Sequence, residues 1–340
     1  MFLDRMTTPD FLFGGCNTMI PNTKPIFTMR LLFVLSVLSA LLISDTLNAQ
    51  RAPSKFAVIG YLPEYRLNSI KPDALSGITD LIYFGLVPNK DGRLAEPPIP
   101  RAALIKLQSI KQQAHCRLLL SVGGWDRSKG FAELTSSALA RQLFIRNLVR
   151  YCRLNGFHGI DYDWEHPKTK IELTNYVKLI KETSNACHPH SMIVTAAQAA
   201  WQNLGKDAYQ AVDRVHLMTY DHDFPHATYD KSTKDVERVI AWGCAPEKLT
   251  LGIPFYGRDK DRKARTYAEI TANQPVDSTT DMIAGFAFNG QATVAKKVRY
   301  AAEQKLAGVM IWELGQDSSR SESRLLEAIR KQVKSAAVRK

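Results

Sequence analysis

The sequence predicts an α/β protein folded as one (β/α)8 TIM barrel, and three observations lead to this fold class. Short apolar runs alternate with longer amphipathic stretches along residues 50–340. There are eight such runs, the number of strands that closes a parallel barrel of this kind. No early run is followed by the G-x-G-x-x-G turn of a dinucleotide-binding open sheet, since "SVGGW" at 121–125 lacks that spacing.

Each apolar run is read as a strand because it is short and is bounded by polar or turn residues. The stretches between runs carry apolar residues at three- and four-residue spacing, which predicts helices at 138–155, 170–186 and 290–306. Residues 256–307 must include the last of these helices, so no large α+β insertion is expected between strands seven and eight. The strands are predicted at 56–62, 80–87, 117–124, 159–165, 192–197, 215–220, 249–255 and 308–314.

Residues 29–50 have the pattern of a secretory signal: a basic start, an apolar core at 31–43 and then small or polar residues. The apolar core is shorter than the roughly 20 residues that cross a bilayer, so we expect no permanent membrane anchor. We therefore assign 1–49 to a leader and 50–340 to one exported domain, secreted or periplasmic. Residues 1–28 are unlike an export signal, which suggests a start at Met29; a disordered extension is the alternative.

The formal charge of +12 favours anionic envelopes and polymers as surroundings or partners. Its Lys and Arg residues are scattered, with no basic cluster interleaved with aromatics, so nucleic acid is not an expected partner. Wide cysteine spacing excludes a C-x-x-C metal site, and we expect no metal or other cofactor and a monomeric protein. After Cys16 is lost with the leader, buried free thiols and disulfides both stay open for Cys116, Cys152, Cys187 and Cys244.

The stretch "GFHGIDYDWEHP" at 156–167 places acids at every second position of a predicted buried strand. Alternate side chains share one face of a strand, so Asp161, Asp163 and Glu165 project together into the barrel. Confined like charges and loss of water raise at least one carboxyl pKa. The pattern predicts a protonated acid at neutral pH, with the outermost and longest side chain, Glu165, as the proton donor.

Asp163 and Glu165 lie on one strand, whereas ordinary glycosidases place their two carboxyls on either side of the scissile bond. If the reaction is glycoside hydrolysis, two sources of a nucleophile remain open. Another strand supplies a carboxylate, or the substrate supplies its own nucleophile, as a 2-acetamido group can.

The stretch "GIDYDWE" resembles the D-x-x-D-x-D-x-E motif of glycoside hydrolase family 18, the chitinases. Further elements that resemble this family occur in the expected order across nearly all of residues 56–317. They are "SVGGW" (121–125) after strand three, "LMTYD" (217–221) for strand six, "GIPFYGR" (252–258) for strand seven and "GVMIWELGQD" (308–317) for strand eight.

The resemblance implies hydrolysis assisted by the acetamido group of an N-acetylglucosamine polymer, such as chitin. It implies Glu165 as acid/base, Asp163 as the group that orients the acetamide, Asp161 as its proton-sharing neighbour and Tyr220 as an acetamide contact. It also implies Trp312 as the hydrophobic floor under the sugar next to the scissile bond. The other implied or expected substrate contacts are Asp221, Met218, Tyr61, Trp125, Tyr256 and Arg258.

One position departs from the family pattern, because His158 stands where the motif has its first Asp. Alternation places the His158 side chain off the face that carries the acids, near the start of the strand and away from its catalytic end. We therefore expect the change from Asp to His to affect the structural support of the site more than its chemistry. His166, next to Glu165, is a candidate substrate contact.

The segment between strands seven and eight leaves little room for an insertion, so the substrate groove is expected to be open. An open groove favours cleavage within a polymer over cleavage from its end.

Three functional interpretations remain open at this stage. The first is hydrolysis of chitin or chito-oligosaccharides, and the second is the same chemistry on an N-glycan core or a peptidoglycan strand. The third is a sugar-binding lectin on an inactive barrel, against which the presence of Glu165 argues.

Overall fold

The computed structural model describes residues 56–70, 75–273, 276–320 and 324–338. By internal contacts, the described residues belong to one compact unit. The predicted leader at 1–49, with Cys16, lies outside the described residues. Of the helices in the described ranges, none is both long enough and apolar enough to cross a bilayer.

Eight parallel strands close into a barrel, which confirms the predicted fold class. The barrel strands are β1 (Ala57–Pro63), β2 (Asp80–Leu86), β3 (Arg117–Gly123), β4 (Gly159–Asp163), β5 (Ile193–Ala199), β6 (Arg214–Met218), β7 (Leu249–Pro254) and β12 (Gly308–Trp312). Around the barrel their order is β1, β12, β7, β6, β5, β4, β3 and β2, and the strands that lie between β7 and β12 in the chain belong to a separate small sheet.

Helices cover the outside of the barrel, and the three helices predicted from spacing are present within a few residues of their expected ends. One begins at a capping box in which the Thr169 hydroxyl accepts from the Glu172 N–H, while the Glu172 side chain accepts from the Thr169 N–H. The helices are α1 (Arg101–Ala114), α2 (Phe131–Ser136), α3 (Ala138–Leu154), α4 (Lys170–Cys187), α5 (Lys206–Ala211), α6 (Tyr229–Ala241), α7 (Tyr267–Thr271), α8 (Gln291–Glu303) and α9 (Leu325–Val338).

Strand β4 shows the alternation that the sequence predicts. Tyr162 points outward, where its hydroxyl lies 2.8 Å from the Thr183 hydroxyl of α4. Asp161 and Asp163 point into the barrel and are buried. The strand ends at Asp163 rather than at residue 165, because its pairing with the neighbouring strands stops there. Glu165 therefore lies in the loop just past the carboxyl edge.

Residues between β7 and β12 form a small antiparallel sheet and one short helix before α8 begins. This segment is not a large insertion, as the sequence predicts, but it contains short strands and a helix rather than a simple connecting loop. Strands of two or three residues are too short to show a periodic pattern in the sequence. The sheet has the order β10, β11, β8, β9, with β8 (Tyr256–Arg258), β9 (Ala264–Thr266), β10 (Met282–Ile283) and β11 (Phe286–Ala287).

The cysteines of the described barrel are buried free thiols, which decides between the two alternatives left open for them. They lie at helix ends or next to strand starts, away from the carboxyl edge. His158 also lies at this end, just before β4, where its Nδ1 accepts from the Leu118 N–H at 3.1 Å. The thiols are Cys116, Cys152, Cys187 and Cys244.

Candidate active site

Asp161 lies in the middle of β4 and is fully buried in the barrel. Its carboxylate accepts hydrogen bonds from the Thr195 hydroxyl of β5 at 2.6 Å and from the Tyr61 hydroxyl of β1 at 2.9 Å. Burial raises the pKa of Asp161, although these hydrogen bonds act in the opposite direction. His216 Nε2 of β6 lies 3.9 Å from Asp161 Oδ1, and burial lowers the pKa of this imidazole to about 3. Asp161 thus has a neutral histidine beside it.

Asp163 is brought into place by a close approach between two strands. The Gly124 N–H donates to the Asp163 carbonyl at 2.5 Å, and a Cβ on Gly123 would come within 2.3 Å of that carbonyl oxygen. Both glycines have a positive φ, at 98° and 108°, so the "SVGG" turn requires them. The Asp163 Oδ1 atom is buried without a hydrogen-bond partner in the described part of the chain. Burial, then the charges of Glu165 and Asp161, raise the pKa of Asp163 far above its ordinary value.

Glu165 lies just beyond β4, at the carboxyl edge of the barrel. Its backbone N–H donates to the Ser128 hydroxyl at 2.9 Å, and that hydroxyl donates to the Gly124 carbonyl at 3.1 Å. Burial raises the pKa of Glu165 from 4.5 to about 7, helped by the charges of Asp221 and Asp126. A carboxyl with a pKa near neutrality can both give and take back a proton during one turnover.

Asp221 follows β6 and is held as a carboxylate by three neighbours. It accepts from Arg258 through Nε at 2.5 Å and Nη2 at 2.9 Å, and from the Tyr256 hydroxyl at 2.7 Å. His226 Nδ1 lies 3.4 Å from the same carboxylate. Burial raises the pKa of Asp221, but the hydrogen bonds outweigh burial and hold the pKa well below its ordinary value. Arg258 and Tyr256, predicted as substrate contacts, thus also fix Asp221.

Aromatic and apolar side chains form the floor beside the carboxyls. The Trp312 ring, at the end of β12, meets Phe84 edge-on at 5.1 Å and Tyr61 at 5.7 Å between centroids. Met218 and Tyr220 pack against the same interior cluster. The floor offers an apolar surface on which the face of a sugar ring can stack.

A cleft of about 890 Å³ opens at the carboxyl edge and brings most of the predicted site residues together. Trp125 lines it with 68% of its surface exposed. Asp161 is not among the lining residues, because it lies deeper in the barrel. The predicted residues that line the cleft are Asp163, Glu165, Tyr220, Trp312, Asp221, Met218, Tyr61, Trp125, Tyr256 and Arg258.

Other residues of the cleft were not singled out by the sequence patterns. Trp201 is 63% exposed and follows β5, and its ring lies 4.8 Å from that of His166, the weaker candidate beside Glu165. Trp201 could have been found by the rule that side chains just beyond barrel strands reach the active edge. Thr195 lies on the interior face of β5, but only the fold shows that it contacts Asp161. Arg262 and Arg265 of the small sheet also line the cleft.

The arrangement can transfer a proton and stabilise a developing positive charge. A protonated Glu165 can supply the proton, and the buried Asp163 beside it can stabilise positive charge that develops nearby. Among the residues that the structure describes, no group of three or more His, Cys, Asp or Glu side chains is placed to hold a metal ion.

Similar sequences include several chitinases. "Probable chitinase 2" of Drosophila melanogaster is 23% identical, with 62% of this chain and 58% of the relative covered. "Chitinase 1" of Aphanocladium album is 26% identical, with 63% and 64% covered. The chain therefore spans about 60% of the length of these curated relatives.

Similar solved structures include two bacterial chitinases. A family 18 chitinase of Flavobacterium johnsoniae superposes with a TM-score of 0.73 at 25% identity, covering 82% of this chain and 94% of the other. A chitinase of Bacteroides thetaiotaomicron gives a TM-score of 0.72 at 25% identity, covering 82% and 97%. The family model described as glycosyl hydrolases family 18 matches residues 57–317, which include all eight barrel strands and the cleft. The chain belongs to glycosyl hydrolase family 18.

Proposed function

We propose that this protein hydrolyses β-1,4 linkages of N-acetylglucosamine polymers, chitin or chito-oligosaccharides, with retention of configuration. The observation that carries the proposal is a pair of proton-binding carboxyls, the buried Asp163 and the partly buried Glu165, on one side of a cleft with an aromatic floor. The names of the chitinases to which the chain is similar support the choice of substrate.

The two other acids that line the cleft are poor candidates for a nucleophile. Asp221 is engaged by Arg258 and Tyr256, and its low pKa marks a weakly basic carboxylate. Glu269 lies at the rim, where its side chain accepts from the Thr266 N–H as part of a helix cap. This leaves the substrate's own 2-acetamido oxygen as the group that attacks the anomeric carbon.

In the proposed mechanism Glu165 donates its proton to the glycosidic oxygen while the acetamido carbonyl oxygen bonds to the anomeric carbon. The bond from that carbon to the glycosidic oxygen breaks, and the leaving sugar departs with the proton. Asp163 stabilises the positive charge that develops on the oxazolinium ring. Glu165 then takes a proton from water, whose oxygen attacks the same carbon and reopens the ring. Two displacements at one carbon retain the β configuration.

The same proposal includes cleavage within chains and action as a monomer. The short segment between β7 and β12 supports cleavage within chains, because it leaves little room for an insertion that would close the cleft. It also includes export: the leader pattern at 1–49 supports a secreted or periplasmic location. An N-glycan core or a peptidoglycan strand remains the alternative polymer, since both contain N-acetylated amino sugars that the mechanism could use.

The test combines product analysis with the stereochemistry of the first product. Chitin oligomers, an N-glycopeptide and a peptidoglycan strand are digested under identical conditions, and NMR follows the anomer released at early times. We expect turnover of chitin oligomers with β product, and none with Glu165→Gln. An α product would mean a single inversion by water and would overturn the acetamide mechanism. Turnover of only the N-glycopeptide or only peptidoglycan would keep the chemistry and reject chitin.

A further inference from the structure

The wall of the cleft formed by the small sheet is strongly basic. The β8–β9 hairpin, residues 258–266, carries five basic and two acidic side chains. One of the acids, Asp259, is used inside the turn, where its Oδ1 accepts from the Lys263 N–H at 2.9 Å. Three arginines of this hairpin line the cleft: Arg258, Arg262 and Arg265.

The three arginines differ in how their charge is neutralised. Arg258 is paired with Asp221 at 2.5 Å. Arg262 is 65% exposed, and its nearest carboxylate is that of the fully solvated Asp223, 3.9 Å away. Arg265 lies over the Phe286 ring at 4.7 Å and forms no ion pair within 4 Å in the described part of the chain. Two guanidinium groups therefore face the cleft with their charge largely uncompensated.

These two side chains are positioned at the site rather than distributed over the surface. Arg262 Nη2 donates to the Asp221 carbonyl at 3.3 Å, and its own carbonyl accepts from Arg258 Nη1 at 2.7 Å. Arg265 is placed by its contact with Phe286 of β11. Glu269, the acid that lines the same wall, lies close enough to Arg265 to have its pKa lowered, but the Thr266 cap is the larger cause.

We propose that this basic wall, defined by Arg262 and Arg265, binds carboxylate groups carried on the sugars of the polymer. The inference rests on the proposed function, because the wall lines the same cleft as Glu165. A guanidinium offers a planar pair of N–H donors that matches a carboxylate. Chitin itself is neutral, so the largely uncompensated charge of these two arginines adds nothing to its recognition. A polymer of N-acetylated amino sugars that bears carboxylates would instead gain affinity from them.

Two soluble forms of chitin make a matched pair of substrates. Carboxymethyl chitin carries an anionic ether and glycol chitin a neutral one, while both keep the β-1,4 linkage and the acetamide. We expect wild type at low salt to show a kcat/KM about tenfold higher on the carboxymethyl polymer, the order expected for two partly solvated charge pairs. Arg262→Gln/Arg265→Gln should bring this ratio close to one.

The control is Arg146→Gln/Arg299→Gln, which removes the same charge from exposed positions on α3 and α8. It should leave the ratio unchanged, because it alters the net charge and not the wall. Salt gives a second measurement that needs no variant. The Debye length falls from about 10 Å at 0.1 M to about 3 Å at 1 M, so the wild-type ratio should fall toward one.

The outcomes separate this inference from the proposed function. Cleavage of both polymers at equal rates by wild type, or a preference that persists in Arg262→Gln/Arg265→Gln, would overturn the basic wall and leave the hydrolase intact. Cleavage of neither polymer would reject the proposed function and the inference with it. The third substrate is a peptide-free glycan strand with lactyl ether carboxylates. A kcat/KM on this strand that falls in Arg262→Gln/Arg265→Gln and not in the control variant would identify the lactyl ether as a carboxylate that the wall binds.

Discussion

The pKa of Glu165, about 7, predicts that activity falls on the alkaline side of neutral pH. Only the protonated side chain can donate to the leaving oxygen. At pH 6 a carboxyl with the ordinary pKa of 4.5 would be about 3% protonated, whereas one with a pKa of about 7 is ~90% protonated. Burial in the cleft wall therefore increases the protonated fraction of Glu165 at pH 6 about 30-fold, which corresponds to a free energy of roughly 2 kcal/mol.

The pH profile of kcat/KM on a soluble chito-oligosaccharide, from pH 4 to 9, measures this pKa in the free enzyme. Asp126→Asn is the perturbation, because the Asp126 charge helps raise the pKa of Glu165. Asn also tolerates the positive φ of 59° at this position. We expect the alkaline limb to move down by about 0.3 pH units at low salt, since an exposed charge is partly screened.

The matched control is Glu237→Gln, which removes an acidic charge from the exposed face of α6 and should not move the limb. A wild-type limb near pH 4.5 would refute the argument, because it would mean that burial does not perturb Glu165. A limb that moves equally in both variants would show a response to net charge and not to a neighbour.

Three further predictions concern buried groups. Glu165→Gln should raise the thermal midpoint more at pH 8 than at pH 4. The raised pKa of Glu165 lowers the free energy of unfolding of the wild type by up to ~3 kcal/mol as the pH rises from 4.5 through about 7, and the variant lacks this loss. Midpoints that change equally at both pH values would contradict this. Asp163→Asn should lower kcat by about 10², and Tyr220→Phe by less, because in the proposed mechanism Asp163 stabilises the positive charge of the intermediate. Steady-state kinetics that reverse this order would remove Asp163 from that role. Lys297→Met should flatten the rise of the free energy of unfolding between pH 7 and 10. Burial lowers the pKa of this amine from 10.5 to about 7, so the unfolded chain binds the proton more tightly than the folded chain does. Denaturant titrations at pH 7 and 9 measure this rise, and a rise equal to that of the wild type would contradict the prediction.

The parts of the fold that follow from local patterns could be predicted from the sequence. Alternation in β4 is local, so the inward direction of Asp161 and Asp163 followed from residue parity. The ends of the strands were less predictable: β6 ends at Met218 and β12 at Trp312, each two residues earlier than the apolar runs suggest. A strand ends where its neighbours stop pairing with it, and the composition of the run does not contain that information.

Contacts between distant segments lay beyond the sequence patterns. Asp221 is fixed by Tyr256 and Arg258, which both lie in β8 of the small sheet. The "LMTYD" and "GIPFYGR" elements marked these residues as important, but no spacing rule says that they contact one another. The hydrogen bond from Tyr61 to Asp161 likewise requires the barrel to close.

The small sheet between β7 and β12 carries the basic wall on a part of the chain that is distinct from the strand that carries the carboxyls. The carboxyls proposed to transfer the proton and to stabilise charge belong to β4 and its loop. Arg262 and Arg265 instead belong to a hairpin in which β8 pairs with β9 and with β11. Mutations can therefore accumulate in the hairpin without disturbing the hydrogen bonds around Asp161 and Asp163. In evolution, and in a library randomised over 259–265, the substituents that the protein prefers on the polymer can diverge while the carboxyls of β4 and its loop are kept.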